Sequence, residues 1–245
     1  MNLKRYKNPP IKEAVLTVGY KKGDKFSLEQ ALAIDKIFSP EFPLRKDIVV
    51  FESNLKIGNG AEAELSQNKQ SLKGYSFWSE DNTKVYQITA ESFSYNILKP
   101  YSNRFDFVSK AKEIWESLDK EIEIDQVSSV SLRYINRILI PIPFKDFDDY
   151  INGTPKIPKC LPNSLSAFFN QIQVPVSENI LATISTTIEP DTNDHLPFIL
   201  DITVTKFGRP ALNKNEFWDE MEEMLNLKND IFEDSITDET RKLFD

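Results

Sequence analysis

Residues 131–141 read SLRYINRILIP, a run in which large apolar side chains alternate with other residues. Because side chains of a β-strand point alternately to its two faces, the run predicts a buried strand. The apolar face includes Asn136, which needs a backbone partner if it is buried and which we interpret as structural. The opposite face carries Arg133 and Arg137, roughly 13 Å apart at about 3.3 Å per residue. The run therefore predicts the centre of a sheet with two guanidinium groups beside it.

The arginine pair has two interpretations. A guanidinium group offers a fork of donors that matches phosphate and carboxylate groups, so the pair is suited to bind an anion. The interpretation that we favour is that both arginines pair with acids of neighbouring elements, because buried charges need partners. The candidate partners are Glu13, Glu91 and Asp201, each of which interrupts or borders a strand-like segment. We expect a buried or half-buried charge network that includes Glu13.

The composition is that of a globular protein. The chain has 245 residues, of which 40% are hydrophobic and 28% charged, enough to form a core without a metal or a disulfide. Its net charge of −8 disfavours broad binding to DNA or RNA, which depends on Lys and Arg contacts to phosphates. The single cysteine, Cys160, and a start without a signal-peptide core predict a cytoplasmic protein. Apolar runs are too short for a transmembrane helix, so we expect no membrane insertion.

Segments rich in β-branched and aromatic residues predict most of the sheet. The predicted strands are residues 11–20, 48–57, 73–80, 83–90, 92–98, 127–141, 167–176, 179–189 and 197–207. One face of the strand at 179–189 is polar throughout, which is typical of an antiparallel sheet with one wet face. The polar stretch 58–70 is interpreted as a hairpin tip, because its Gly58-Asn59-Gly60 lacks the lysine and the helix of a phosphate loop.

Apolar residues at three- and four-residue steps predict the helices. Ser27, Asn103 and Thr237 are predicted to be the N-caps of three helices, and a fourth helix is predicted to begin at about residue 215. The stripe Phe217, Trp218, Met221 and Met224 is interpreted as core packing; if exposed, it would be a partner surface.

These elements predict an α+β fold, with a large, mostly antiparallel curved sheet or partly closed barrel and flanking amphipathic helices. Residues 1–143 form a predicted N-terminal half, and residues 167–245 form a C-terminal half. The proline-rich residues 144–166 connect them, and we expect the halves to pack as one unit.

Catalytic patterns are not recognisable in this chain. The single histidine, His195, excludes His-rich metal sites, and it is the sole histidine base available to Cys160. Most acidic residues cluster on predicted outer helix faces, where paired-carboxylate chemistry is not expected. We therefore predict no catalytic residue, no metal and no cofactor.

Three short blocks resemble a sporadically distributed family of uncharacterised bacterial proteins. The blocks are residues 6–14 (YKNPPIKEA), 132–138 (LRYINRI) and 235–240 (SITDET), the last together with Phe232. The resemblance marks Glu13, Arg133, Asn136 and Arg137 as motif positions and implies no role for them. The patchy occurrence of such a family implies exchange on mobile elements, which links it to defence or toxin–antitoxin loci.

We expect a non-enzymatic cytoplasmic binding or interaction protein, an accessory or regulator in a bacterial defence or toxin–antitoxin module. Its partner would be another protein, a second copy of itself or a small anionic ligand. The candidate binding residues are Glu13, Glu91, Arg133, Asn136, Arg137 and Asp201.

The alternative is an Arg-lined pocket of a sheet or barrel that binds a nucleotide or polyphosphate, with hydrolysis at a divalent ion as an extension. Its lining residues would be Arg133, Arg137, Glu91, Glu189 and Asp201. Against this alternative, the chain lacks the repeated acid-x-acid-x-lysine strand pattern of triphosphate tunnel enzymes.

Overall fold

The computed structural model describes twelve stretches of the chain. They are residues 6–21, 28–52, 55–57, 63–65, 69–98, 101, 104–154, 156–162, 165–190, 192, 194–212 and 216–245. The predicted caps Ser27 and Asn103 and the segment Gly58-Asn59-Gly60 lie outside the described residues.

Strands contain more of the described residues than helices do. The strands are β1 Ile11–Lys21, β2 Leu44–Glu52, β3 Leu55–Ile57, β4 Ala63–Leu65, β5 Lys69–Trp78, β6 Lys84–Thr89, β7 Ser92–Leu98, β8 Gln126–Pro141, β9 Phe169–Pro175, β10 Ile180–Ile188 and β11 His195–Leu212. The helices are α1 Leu28–Phe38, α2 Arg104–Ile122, α3 Met221–Ser235 and α4 Asp238–Lys242, with 3₁₀ turns at Phe147–Asp149 and Glu216–Trp218.

Nine strands form one antiparallel sheet in the order β2-β5-β6-β7-β1-β8-β11-β10-β9, and β3 pairs with β4 separately. The predicted α+β fold with a large antiparallel sheet is confirmed. The sheet is not closed into a barrel, because its two end strands, β2 and β9, do not pair with each other in the described residues. The alternative of a barrel lumen is therefore wrong.

The strand predicted from residues 131–141 lies at the centre of the sheet. β8 pairs with β1 on one side and with β11 on the other, so that Leu132 lies opposite Leu16 and Val204. Its predicted apolar face is buried from Val130 to Ile140. The Asn136 side chain, 3% exposed, donates hydrogen bonds to the carbonyl oxygens of Leu200 at 3.1 Å and Tyr134 at 3.3 Å. Its predicted structural role is consistent with this geometry.

The helices pack on one side of the sheet. The buried residues of α2, among them Phe107 and Trp115, lie in a cluster that also contains Leu16 of β1 and Leu132 of β8. Phe232 of α3, Ile236 and Phe244 pack against β8 and β11 in a second cluster. The stripe Phe217, Trp218, Met221 and Met224 is buried, which confirms core packing. Within the part of the chain that the structure describes, no helix is long and apolar enough to cross a membrane.

The predicted connection at residues 144–166 lies between β8 and β9. β8 precedes it and β11 follows it, yet these strands pair from Pro141 opposite His195 to Val127 opposite Leu212. Both predicted halves therefore contribute to one sheet, and the division itself stays a prediction.

Candidate functional site

The face of the sheet opposite the helices carries the two arginines. We call it the helix-free face and define it by Val15, Arg133, Arg137, Asp201 and Thr203. Register places Arg133 between Val15 of β1 and Thr203 of β11, and Asp201 opposite Ile135. Since alternate side chains of β8 are buried among the helices, Arg133 and Arg137 must point away from them. Because the described helices cover the other face, the charge network around the two arginines is half-buried and not fully buried.

Arg133 and Asp201 form a forked ion pair across β8 and β11. The Arg133 Nε donates to Asp201 Oδ1 at 2.9 Å and to Oδ2 at 3.0 Å, and Nη2 donates to Oδ2 at 2.6 Å. The hydrogen bonding with Asp201 raises the pKa of Arg133. The Arg133 side chain is 48% exposed and the Asp201 side chain 16%. The predicted partnership with Asp201 is present, and it leaves an edge of the guanidinium group open to solvent.

Arg137 pairs with Glu189, which was predicted only as a lining residue of the alternative nucleotide or polyphosphate pocket. Its Nε donates to Glu189 Oε2 at 2.7 Å, and Lys12 Nζ donates to Glu189 Oε1 at 3.2 Å. The hydrogen bond from Arg137 lowers the pKa of Glu189. Glu189 follows the polar face of β10, and that alternation was the signal that could have marked it as a partner.

Glu13 lies on the helix-free face but does not bond to either arginine of the pair. Its Oε1 accepts a hydrogen bond from Asn96 Nδ2 at 2.9 Å. Its charge contributes to the raised pKa of Arg133, after the larger effect of Asp201. Glu13 therefore belongs to the electrostatic surroundings of the arginine pair.

Two of the six candidate residues lie away from the arginine cluster. Glu91 lies in the turn between β6 and β7, where its carbonyl oxygen accepts from the Tyr20 N–H at 2.9 Å, at the far end of β1 from Glu13. Asn136 points to the buried face. The structure thus brings together Glu13, Arg133, Arg137 and Asp201, and adds Lys12 and Glu189.

A shallow groove lies beside Arg137. Pro10, Lys12, Arg137, Leu139 and Glu189 line a volume of about 390 Å³. Leu139 is 41% exposed, so the groove combines an apolar side chain with charged ones. A larger depression, about 480 Å³, lies elsewhere and is lined by Pro40, Glu41, Pro43, Ser79, Glu80, Asp81 and Lys84. Its excess of carboxylates does not suit an anionic ligand.

The cluster is suited to recognition. Arg137 uses Nε for Glu189, and its terminal nitrogens have no hydrogen-bond acceptor among the described residues. These nitrogens remain as donors for a carboxylate or a phosphate. A search of the described residues for three or more His, Cys, Asp or Glu side chains able to hold a metal finds no such group.

Comparison with models of protein families, with curated proteins and with solved structures finds no match. The class of the protein therefore rests on its own geometry: an antiparallel α+β protein with helices on one face of its sheet. The other face presents an ion-paired arginine cluster. The resemblance to a bacterial family stays a prediction.

Proposed function

We propose that the chain is a non-enzymatic cytoplasmic binding protein whose helix-free face docks a protein partner with exposed carboxylates. The observation that carries the proposal is the half-exposed arginine pair, held in place by Asp201 and Glu189. Its single cysteine, Cys160, supports the cytoplasmic location.

The balance of charge favours a protein over a polyphosphate. The cations Lys12, Arg133 and Arg137 stand beside the anions Glu13, Glu189 and Asp201, so the cluster has no net charge. A polyphosphate would meet the carboxylates as well as the guanidinium groups. A protein surface can place a carboxylate on Arg137 and an apolar side chain on Leu139, a combination found at interfaces, where Arg is enriched.

The ion pairs also prepare the arginines for binding. A free arginine side chain loses about 0.5–1.5 kcal/mol of rotamer freedom when a partner immobilises it. The fork between Arg133 and Asp201 restricts that freedom before a partner arrives. Preorganisation of this kind supports recognition by an exposed sheet face.

Site-specific photo-crosslinking in cells that naturally make the protein tests this proposal. A photoreactive amino acid at Thr203, opposite Arg133, is expected to capture a protein partner. The adduct should disappear when Arg133→Glu is added. The matched control is the same probe at Glu116, an exposed position on α2, which should give no such adduct. Equal adducts from both positions would contradict the proposal, as would catalytic turnover that is lost in Arg133→Ala.

The groove at Arg137 and Lys12 favours a second candidate, a small anionic ligand such as a nucleotide or a polyphosphate. A thermal-shift screen with these anions tests it, because a ligand at 100 times its dissociation constant adds about 2.7 kcal/mol of stability. The shift should vanish in Arg137→Gln and persist in Arg45→Gln, a control on β2. The absence of any shift would eliminate this candidate.

The resemblance to the bacterial family supports a place for the chain in a defence or toxin–antitoxin module. An inspection of neighbouring genes tests that placement. A toxin or nuclease gene beside it in several genomes is the expected result, and unrelated neighbours would contradict it.

A further inference from the structure

The edge strand β9 is exposed and carries no charged side chain. All but one of its residues are exposed, and Phe169, Ile172 and Val174 are 70%, 47% and 45% exposed. No charged side chain occurs in residues 160–177, in a chain that is 28% charged. Exposed edges normally carry charges that prevent pairing with other strands, so this edge is atypical.

Hydrogen bonding to β10 determines which backbone groups of β9 point to the free edge of the sheet. The Val176 N–H donates to the Ile180 carbonyl oxygen at 2.9 Å, which makes Val176 and Ile180 a hydrogen-bonded pair. Such pairs alternate in an antiparallel ladder, so Val174 and Ile172 also bond to β10. The N–H and C=O groups of Gln171 and Gln173 consequently point to the free edge.

We propose that β9 pairs antiparallel with β9 of a second copy of this chain, about a two-fold axis through Ile172. In this register Ile172 faces its counterpart, and Gln171 faces Gln173 of the other copy. The outward backbone groups of the glutamines then form hydrogen-bonded pairs, whereas the two isoleucines form a non-hydrogen-bonded pair. Pro175 lacks an N–H, but it lies at the end of the paired segment and does not interrupt the central bonds.

The side chains of β9 are complementary about the same axis. Ile172 and Val174 point to the helix side, since they lie opposite Ile184 and the buried Ala182. Ile172 of each copy would contact Ile172 and Val174 of the other, which continues the apolar row across the axis. On the helix-free side, the glutamines lie opposite one another. Because the axis passes through Ile172, each copy presents the same three residues, Gln171, Ile172 and Gln173, to the other copy.

The opposite edge of the sheet explains why pairing would stop at two copies. β2 carries Arg45, Lys46 and Asp47 on its exposed length. Arg45 lies over the Tyr75 ring at 5.5 Å, and Lys46 lies over the Trp78 ring at 4.5 Å. Charged residues disfavour edge-to-edge pairing. Association through β9 alone closes a dimer and does not extend into a fibre.

Analytical ultracentrifugation of the full chain tests the dimer. The wild-type chain should sediment as a dimer, and Ile172→Lys should sediment as a monomer because two ammonium groups would face each other. Val49→Lys, a matched substitution at an exposed position of the β2 edge, should remain dimeric.

Disulfide trapping tests the register in a Cys160→Ser background. Ile172→Cys should form an intermolecular disulfide on mild oxidation, because Cα atoms of a non-hydrogen-bonded pair are about 4.5 Å apart. Gln171→Cys should not, since its copies would lie diagonally, beyond disulfide reach. The proposal is overturned if the wild-type chain is monomeric over a roughly hundredfold range of concentration, if Ile172→Lys stays dimeric, or if both cysteines cross-link equally.

Discussion

Replacement of Lys228 by methionine is predicted to stabilise the protein. Lys228 lies on the buried face of α3 with 8% exposure, and its Nζ lies 4.0 Å from the centroid of the Tyr134 ring. It has no ion-pair or hydrogen-bond partner within the described residues. Burial, reinforced by the charge of Arg104 and opposed by Glu233, lowers the pKa of Lys228 from 10.5 to about 8.

The magnitude follows from that lowered pKa. A tenfold change in an ionisation constant corresponds to about 1.4 kcal/mol, so the charged Lys228 destabilises the folded state by about 3 kcal/mol at neutral pH. The contact with the Tyr134 ring returns about 1 kcal/mol, which methionine would lose. We expect Lys228→Met to raise the free energy of unfolding by about 2 kcal/mol at pH 7.

The same argument predicts a dependence on pH. Below pH 8, Lys228 is protonated in both states, and its full cost is present. Between pH 8 and pH 10.5 the unfolded state binds more protons at Lys228 than the folded state does, so the stability of the wild-type chain rises with pH. The stability of Lys228→Met does not show this rise. The advantage of the variant should therefore shrink on going to alkaline pH.

Urea unfolding followed by tryptophan fluorescence measures both effects. Burial raises the pKa of tyrosines such as Tyr86, so both proteins lose stability once unfolded tyrosine ionises above pH 10. The comparison is thus made below that pH. Lys112→Met, at an exposed position of α2, is the control and should change little. A destabilised Lys228→Met, or an advantage that does not vary with pH, would refute the reasoning.

Substitutions at four further positions probe the fold by the same unfolding measurement. A Cβ added by Gly74→Ala would overlap the backbone of Ile88, so we expect a loss of at least about 3 kcal/mol, whereas Gly19→Ala meets movable serine hydroxyls and should cost less. Asn136→Ala leaves the buried Leu200 carbonyl oxygen without that donor and should cost about 1–3 kcal/mol. Thr237→Ala removes the side chain that accepts from the Thr240 N–H and should cost about 1 kcal/mol of stability. Thr237→Ser keeps the hydroxyl and should retain most of that stability. Equal losses from the two glycine variants, or no loss at the other two positions, would contradict these assignments.

Local patterns predicted the elements well, because alternation and helical spacing depend on near neighbours. The run at 131–141 gave the buried face of β8 residue by residue, and Thr237 was identified as a helix cap. The predicted strand at 48–57 instead corresponds to β2, which begins at Leu44, and to the separate β3. The long helix begins at Met221, after a 3₁₀ turn, and not near residue 215.

Long-range relationships were predicted less well. The alternation of β10 places Glu189 on the polar face, but its pairing with Arg137 depends on where β10 ends relative to β8, and no local pattern encodes that distance. Whether Arg133 is buried depends on which face of the sheet the helices cover. Alternation within one strand does not predict that face. Asp201 was found because a lone acid in an apolar strand needs a partner.

The pairing of β1 with β8 has a consequence for synthesis. Ile11 of β1 lies opposite Asn136 of β8, and Val130 of β8 lies opposite Lys206 of β11. At about 5–20 residues per second, β1 must remain unpaired with β8 for on the order of ten seconds while the ribosome completes the intervening chain. Pairings between such distant residues also slow folding, because loop closure precedes the gain from contact. Nascent chains would therefore leave the β8-facing edge of β1 unpaired for this interval, and we expect their folding yield to depend on chaperones that cover it.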